Sequence, residues 1–156
     1  MQYKYPVKKI HLHVSGFDIA YTDEGKGENT IIFIHGLGSY LRAWEKNIGE
    51  LSKTNRCIAI DLPGYGKSSK QPHSGMMTFY AGIVNELVTE LKLQKVLIAG
   101  HSMGGQIAMT TALVYPTVCR VCEAFIDSLD DGISCRHCWL ENENARLNFD
   151  HCAKCD

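Results

Sequence analysis

Apolar and polar side chains alternate from Lys9 to Val14. This period of two predicts a strand with Ile10, Leu12 and Val14 on its buried face and His11 and His13 on the other. Ser15 and Gly16 supply a turn and Phe17 to Tyr21 a second strand, so the chain opens as an antiparallel hairpin, closed off by the polar, glycine-rich stretch Asp23 to Asn29. Thr30 to Ile34 is an unbroken apolar run, the pattern of a strand buried on both faces of a parallel sheet. Between residues 40 and 52, Leu41, Trp44, Ile48 and Leu51 recur at helical spacing, and Cys57 to Ile60 forms the next buried strand. The alternation then repeats: Phe79, Ile83, Leu87 and Leu91 stripe a helix, Lys95 to Ala99 is a strand, and Gly105 to Tyr115 is a helix that stops before Pro116. The fold class is α/β, a mostly parallel sheet with helices on both faces and an N-terminal antiparallel hairpin. Chemistry is expected at the carboxyl ends of its strands.

Two segments at such strand ends carry candidate chemistry. Gly100-His101-Ser102-Met103-Gly104-Gly105 follows one predicted strand and opens the next helix, placing a Gly-x-Ser-x-Gly pattern in a strand–turn–helix setting. A sharp turn there strains the backbone at Ser102, and side chains at positions 100 and 104 would collide with neighbouring chain. Ser102 is then lifted above the positive end of a helix as a candidate nucleophile. The second segment, His35-Gly36-Leu37-Gly38, ends the strand Ile31 to Ile34. Acyl transfer develops an oxyanion, and the N–H groups of Leu37 and Met103 are the candidate donors to it. His35 is expected to hydrogen-bond the loop rather than act as a base. His11 and His13, with no third ligand near in sequence, are expected to face solvent and bind no metal.

Composition narrows the picture. The 156 residues, 45% hydrophobic, suffice for one globular core. A net charge of -1 excludes a uniform basic field, so no nucleic-acid partner is expected. Apolar stretches such as Val96 to Ala99 fall far below the roughly 18 residues of a membrane span, so no membrane partner is expected either. Met1 to Pro6 carries no apolar run of the secretory kind, and the expected compartment is the cytoplasm, with reduced thiols. Cysteine then divides the chain. Only Cys57 precedes residue 118, whereas Cys119, Cys122, Cys135, Cys138, Cys152 and Cys155 crowd the last 38 residues, where one of the 14 glycines and none of the four prolines occurs. Residues 1–118 read as one core and 119–156 as an unlike, cysteine-rich tail.

Residues 6–118 resemble the N-terminal half of the α/β-hydrolase superfamily, in particular its esterase-like and carbon–carbon-bond hydrolase branch. The resemblance is carried by His35 to Ser39, Asp61-Leu62-Pro63-Gly64-Tyr65-Gly66-Lys67-Ser68, Gly100 to Gly105 and the helix end Ala112 to Pro116. It implies an incomplete α/β-hydrolase fold, Ser102 as nucleophile, Leu37 and Met103 as oxyanion donors, a small-molecule ester or related carbonyl substrate, and no cofactor. The epoxide-hydrolase and dehalogenase branches resemble this family but have aspartate where this chain has Ser102. Asp61 looks like a residue that holds its loop rather than the acid of a triad. Tyr40, Trp44, Met76 and Met77 are candidates for an acyl pocket, although core packing is the commoner fate of such side chains.

A serine nucleophile needs a base, and the base needs an acid. The resemblance implies Ser, then acid, then His on later strands, and the chain after Pro116 does not resemble those strands. Asp127, Asp130 or Asp131 and His137 or His151 fill the order formally, but too few residues remain to build the returning strands. The three Cys-x-x-Cys pairs offer a rival chemistry, since any two could hold zinc tetrahedrally, although none has the usual glycine-bearing knuckle and none opens a helix as a thioredoxin-like pair would. Loss of Gly and Pro together with gain of Cys is what translation in another frame produces. The tail is therefore expected to be non-native or poorly ordered. The sequence leaves two functions open: a serine hydrolase working through an acyl-enzyme, inactive if acid and base are missing, or a non-catalytic zinc-binding or interaction protein.

Overall fold

In the computed structural model, which describes residues 3–115, five strands form one mixed sheet. In chain order they are β1 (Lys8–His11), β2 (Asp18–Glu24), β3 (Thr30–Ile34), β4 (Arg56–Ile60) and β5 (Val96–Gly100), and their order across the sheet is β1-β2-β4-β3-β5. β3 pairs parallel with both β4 and β5, while β1–β2 and β2–β4 are antiparallel. A 3-10 turn, Leu41–Trp44, leads into α1 (Glu45–Leu51); α2 (Met77–Glu90) joins β4 to β5, and α3 (Met103–Val114) follows β5. The predicted fold class therefore stands: helices on both faces of a parallel centre, entered through an antiparallel hairpin.

The period of two in the central strands sorts their side chains between two cores. Ile32 and Ile34 of β3 join Ile58, Ile60, Val96 and Ile98 against Ile83, Val84 and Leu87 of α2 and Ile107 of α3. The intervening Ile31 and Phe33 face the other way with Cys57 and Ala59, against Leu41, Trp44 and Ile48. All five residues of β3 are buried, as an unbroken apolar run requires. At about 25 cal/mol per Å² of apolar surface, each such buried isoleucine contributes on the order of 2 kcal/mol.

The first hairpin corrects one expectation. β1 ends at His11; Leu12 is fully buried but Val14 is 90% exposed. The chain turns at Leu12, whose carbonyl accepts the Gly16 N–H at 2.8 Å, with Gly16 at φ 75. Val14 thus lies in the turn, where its N–H donates to Glu86 Oε1 of α2 at 2.6 Å. His11 and His13 are exposed as expected, and pair with Asp18 and Glu90. Among the described residues no helix is long and apolar enough to cross a membrane, and no group of three metal-ligating side chains occurs.

Candidate active site

β3 and β5 run in register, with Ile34 opposite Gly100, so the loops leaving their carboxyl ends emerge side by side. The link is direct: the His101 N–H donates to the Ile34 carbonyl at 3.2 Å. From here the two chains diverge. After β3 the chain passes to α1 on one face, and after β5 it passes to α3 on the other, which opens a crevice at the point where α/β sheets bind ligands.

Ser102 sits at that crevice with φ 54 and ψ -120, a conformation that favours glycine and costs a side-chain-bearing residue on the order of 1–3 kcal/mol. Ser102 is exposed and is the N-cap of α3, yet its hydroxyl makes no capping bond. The strain is held by close packing around it. A Cβ on Gly100 would meet the Gly104 carbonyl, and one on Gly104 would meet the carbonyls of Ile34 and His35. The collisions expected at positions 100 and 104 are therefore present. Gly105 is different, since a Cβ there would find only ordinary contact, 3.5 Å from the Gly100 carbonyl oxygen.

The loop after β3 lies against the serine: a Cβ on Gly36 would stand 3.3 Å from the Ser102 Cβ and 3.1 Å from the His101 carbonyl oxygen. Leu37 follows, 75% exposed, and then Gly38 at φ 70. Met103 is the first residue of α3, so its N–H has no acceptor one turn back. Among the described residues, neither the Leu37 nor the Met103 N–H has a hydrogen-bond acceptor. The structure thus brings Ser102, Met103 and the Leu37 loop together at two adjoining strand ends.

His35 is fully buried, with Nδ1 2.8 Å from the Gly36 carbonyl oxygen and Nε2 accepting the Leu62 N–H at 3.1 Å. It bonds the loop, as the sequence predicts. Burial pushes its pKa down, against smaller upward pulls from the Gly36 carbonyl and Asp61. Asp61, also fully buried, holds its surroundings as expected: Oδ1 accepts the Leu41 N–H at 2.7 Å and Oδ2 the Lys67 N–H at 2.8 Å. The Tyr3 hydroxyl donates to Oδ2 at 3.4 Å, and burial, with the carboxylate second, pushes that phenol up to about 12. The bond from Asp61 to Leu41 was not legible in sequence, whereas the glycines on either side of Leu37 are what lets that loop curl toward Ser102.

Beside the elbow a cavity of about 300 Å³ opens on the α1 face, lined by His35, Gly36, Ser39, Ala43, Trp44, Asn47 and His101. Of the four acyl-pocket candidates only Trp44 reaches it, its ring tilted over Phe33 at 5.1 Å. Tyr40 packs edge-on against Tyr3, Met77 packs on the core under α2, and Met76 is 61% exposed. Among the described residues no histidine hydrogen-bonds the Ser102 hydroxyl. The formal acid and base candidates Asp127, Asp130, Asp131, His137 and His151, and all six tail cysteines, lie outside the described residues.

A five-strand order with antiparallel entry, a strained serine between strand and helix, and a glycine-bounded loop against it define one class of protein. The sequence profile of the alpha/beta hydrolase fold matches residues 29–140, and the chain belongs to that family. It is 35% identical over 103 residues to the dihydrolipoyllysine-residue acetyltransferase component of the acetoin cleaving system of Cupriavidus necator, a match that covers 66% of this chain and 28% of that protein. It is 34% identical over 103 residues to the 2-hydroxy-6-oxononadienedioate/2-hydroxy-6-oxononatrienedioate hydrolase of Escherichia coli, covering 63% of this chain and 36% of the enzyme. Among solved structures, a probable hydrolytic enzyme of Pseudomonas aeruginosa PAO1 superposes with a TM-score of 0.68 at 33% identity, covering 75% of this chain and 40% of that one. The chain matches well under half the length of each of these relatives.

Proposed function

We propose that the protein is a serine hydrolase acting on an ester or related small carbonyl substrate through an acyl-enzyme at Ser102. The observation that carries this reading is the backbone of Ser102, held at φ 54 and ψ -120 with a hydroxyl that caps nothing. Strain is retained at a position that glycine would occupy without cost, and a nucleophile presented to solvent is a reason to retain it. In the proposed reaction Oγ attacks the carbonyl carbon and its proton passes to a base lying outside residues 3–115. The oxyanion is met by the N–H groups of Leu37 and Met103, the alcohol leaves, and water then releases the acid. Each oxyanion donor in such a site supplies about 3 kcal/mol. The 34% identity to a 2-hydroxy-6-oxononadienedioate/2-hydroxy-6-oxononatrienedioate hydrolase, whose named substrates carry an oxo group, supports a carbonyl substrate.

The test is covalent labelling of the full 156-residue chain with a fluorophosphonate, in which Oγ bonds to phosphorus as fluoride leaves. Labelling that maps to Ser102 and disappears in Ser102→Ala supports the reading. Absence of labelling, with stoichiometric zinc retained after dialysis, would favour the non-catalytic reading of the tail.

A further inference from the structure

The imidazole of His35 has both nitrogens committed, and together they fix its proton. A backbone N–H can only donate, so Nε2, 3.1 Å from the Leu62 nitrogen, is an acceptor and carries no hydrogen. The ring proton of the neutral form is therefore on Nδ1, donated across 2.8 Å to the Gly36 carbonyl. The Gly36 carbonyl and the Leu37 N–H belong to one peptide unit. No peptide in the described chain is cis, so the two groups point in opposite directions. Drawing the carbonyl inward onto a fully buried ring turns the N–H outward, on a loop whose Gly36 already lies against Ser102.

We infer that His35 is a positioning residue for the oxyanion site: its Nδ1–H, held in that tautomer by Leu62, sets the plane of the Gly36–Leu37 peptide and so the aim of the Leu37 N–H. The inference rests on the reading of Leu37 as an oxyanion donor. The rest of the loop supports it. The Ser39 N–H shares the Gly36 carbonyl at 3.2 Å and closes the turn, while Asp61 Oδ1 fixes the far end through the Leu41 N–H at 2.7 Å. The loop is clamped at both ends, and among the described residues only the His35 bond acts on the donor peptide from inside the core. Burial favours the neutral ring, and it is the Leu62 N–H that needs a ring with Nε2 bare. A side chain that only filled space would need neither nitrogen.

The experiment has two independent readouts on the full chain. Long-range nitrogen–proton NMR of the imidazoles is expected to show His35 protonated at Nδ1 and bare at Nε2; the opposite tautomer overturns the inference. The second readout is the rate of fluorophosphonate attachment to Ser102. His35→Leu, which keeps bulk without a donor, is expected to slow attachment about tenfold or more. His35→Asn, whose amide places a donor near the Nδ1 position, is expected to recover most of that loss. An unchanged rate in His35→Leu, or an Asn variant as slow as the Leu variant, overturns the inference. If the unaltered chain takes no label, the reading of Ser102 fails by itself. The tautomer, and the shift of the Leu37 amide resonance on His35→Leu, still decide whether His35 orients that peptide. If His35→Leu does not fold, the tautomer and the Asn rate relative to the unaltered chain decide it.

Discussion

The carboxylate of Asp61 accepts the main-chain N–H of Leu41 at 2.7 Å, tying the turn after β4 to the end of the loop that leaves β3. Twenty residues of chain separate the partners. With the Lys67 N–H on its other oxygen, this one fully buried side chain satisfies donors from two loops.

Removing Asp61 should therefore cost more than a surface carboxylate would. Asp61→Ala leaves the Leu41 and Lys67 donors without their acceptor, at about 1–3 kcal/mol for the buried Leu41 N–H and less for the part-buried Lys67 N–H. Asp61→Asn keeps one oxygen and is expected to lose less. Urea unfolding of the two variants against the unaltered chain checks the order; equal losses would show that the carboxylate holds neither loop.

Three glycines separate packing from turn chemistry. Gly100→Ala and Gly104→Ala each drive a methyl into main-chain atoms, which cannot move without lifting the first turn of α3 off the ends of β5 and β3, and a loss of about 3 kcal/mol or more is expected. Gly105 lies inside α3 with room for a methyl, so Gly105→Ala is expected to stabilise by about 0.5–1 kcal/mol through helix propensity. Thermal melts of the three variants test the contrast between neighbouring positions 104 and 105.

Ser102→Gly should separate stability from reactivity. Glycine adopts φ 54 and ψ -120 freely, and the strain released outweighs the entropy that glycine adds to the unfolded chain, for a net gain of about 1 kcal/mol. Fluorophosphonate labelling is expected to vanish in the same variant. A variant less stable than the parent would show that the backbone at 102 is not strained.

The pH dependence of stability carries the signature of His35. Its folded-state pKa is pushed down by burial, so on acidification the unfolded chain takes up the proton first. The stability from the neutral ring is complete above the ordinary histidine value of about 6.5 and is lost as pH falls from there through the folded-state pKa, at no more than about 1.4 kcal/mol per pH unit. Asp61 nearby pulls the other way, and the Tyr65 ring at 5.1 Å packs against the imidazole. In His35→Asn that contribution disappears. Urea unfolding between pH 7 and pH 5 is expected to show a shallower slope in the variant.

Much of this could be read in the chain because the information is local. β3 begins and ends where the apolar run of Thr30 to Ile34 does, since a strand buried on both faces needs nothing but apolar residues. The elbow was legible because glycines at 100 and 104 answer a close approach that a strand–turn–helix corner imposes. Val14 was misplaced for the complementary reason. Alternation continues past His11, but the chain ends its pairing where Leu12 turns back onto Gly16 and Phe17. The helix expected from residue 40 likewise starts as a 3-10 turn, Leu41–Trp44, at the point where Asp61 captures its first N–H.

The sequence by itself determined the order of strands and helices, the serine at a strand's end and the glycines that allow its turn, because backbone sterics and apolar periodicity act between near neighbours. Only the tertiary structure decided that β3 and β5 lie side by side, that Gly36 rests on Ser102, and that His35 reaches Leu62 and Asp61 reaches Leu41. Those relations join residues tens of positions apart, and hydrogen bonds of that kind are chosen by how the sheet stacks its strands, which no local pattern encodes.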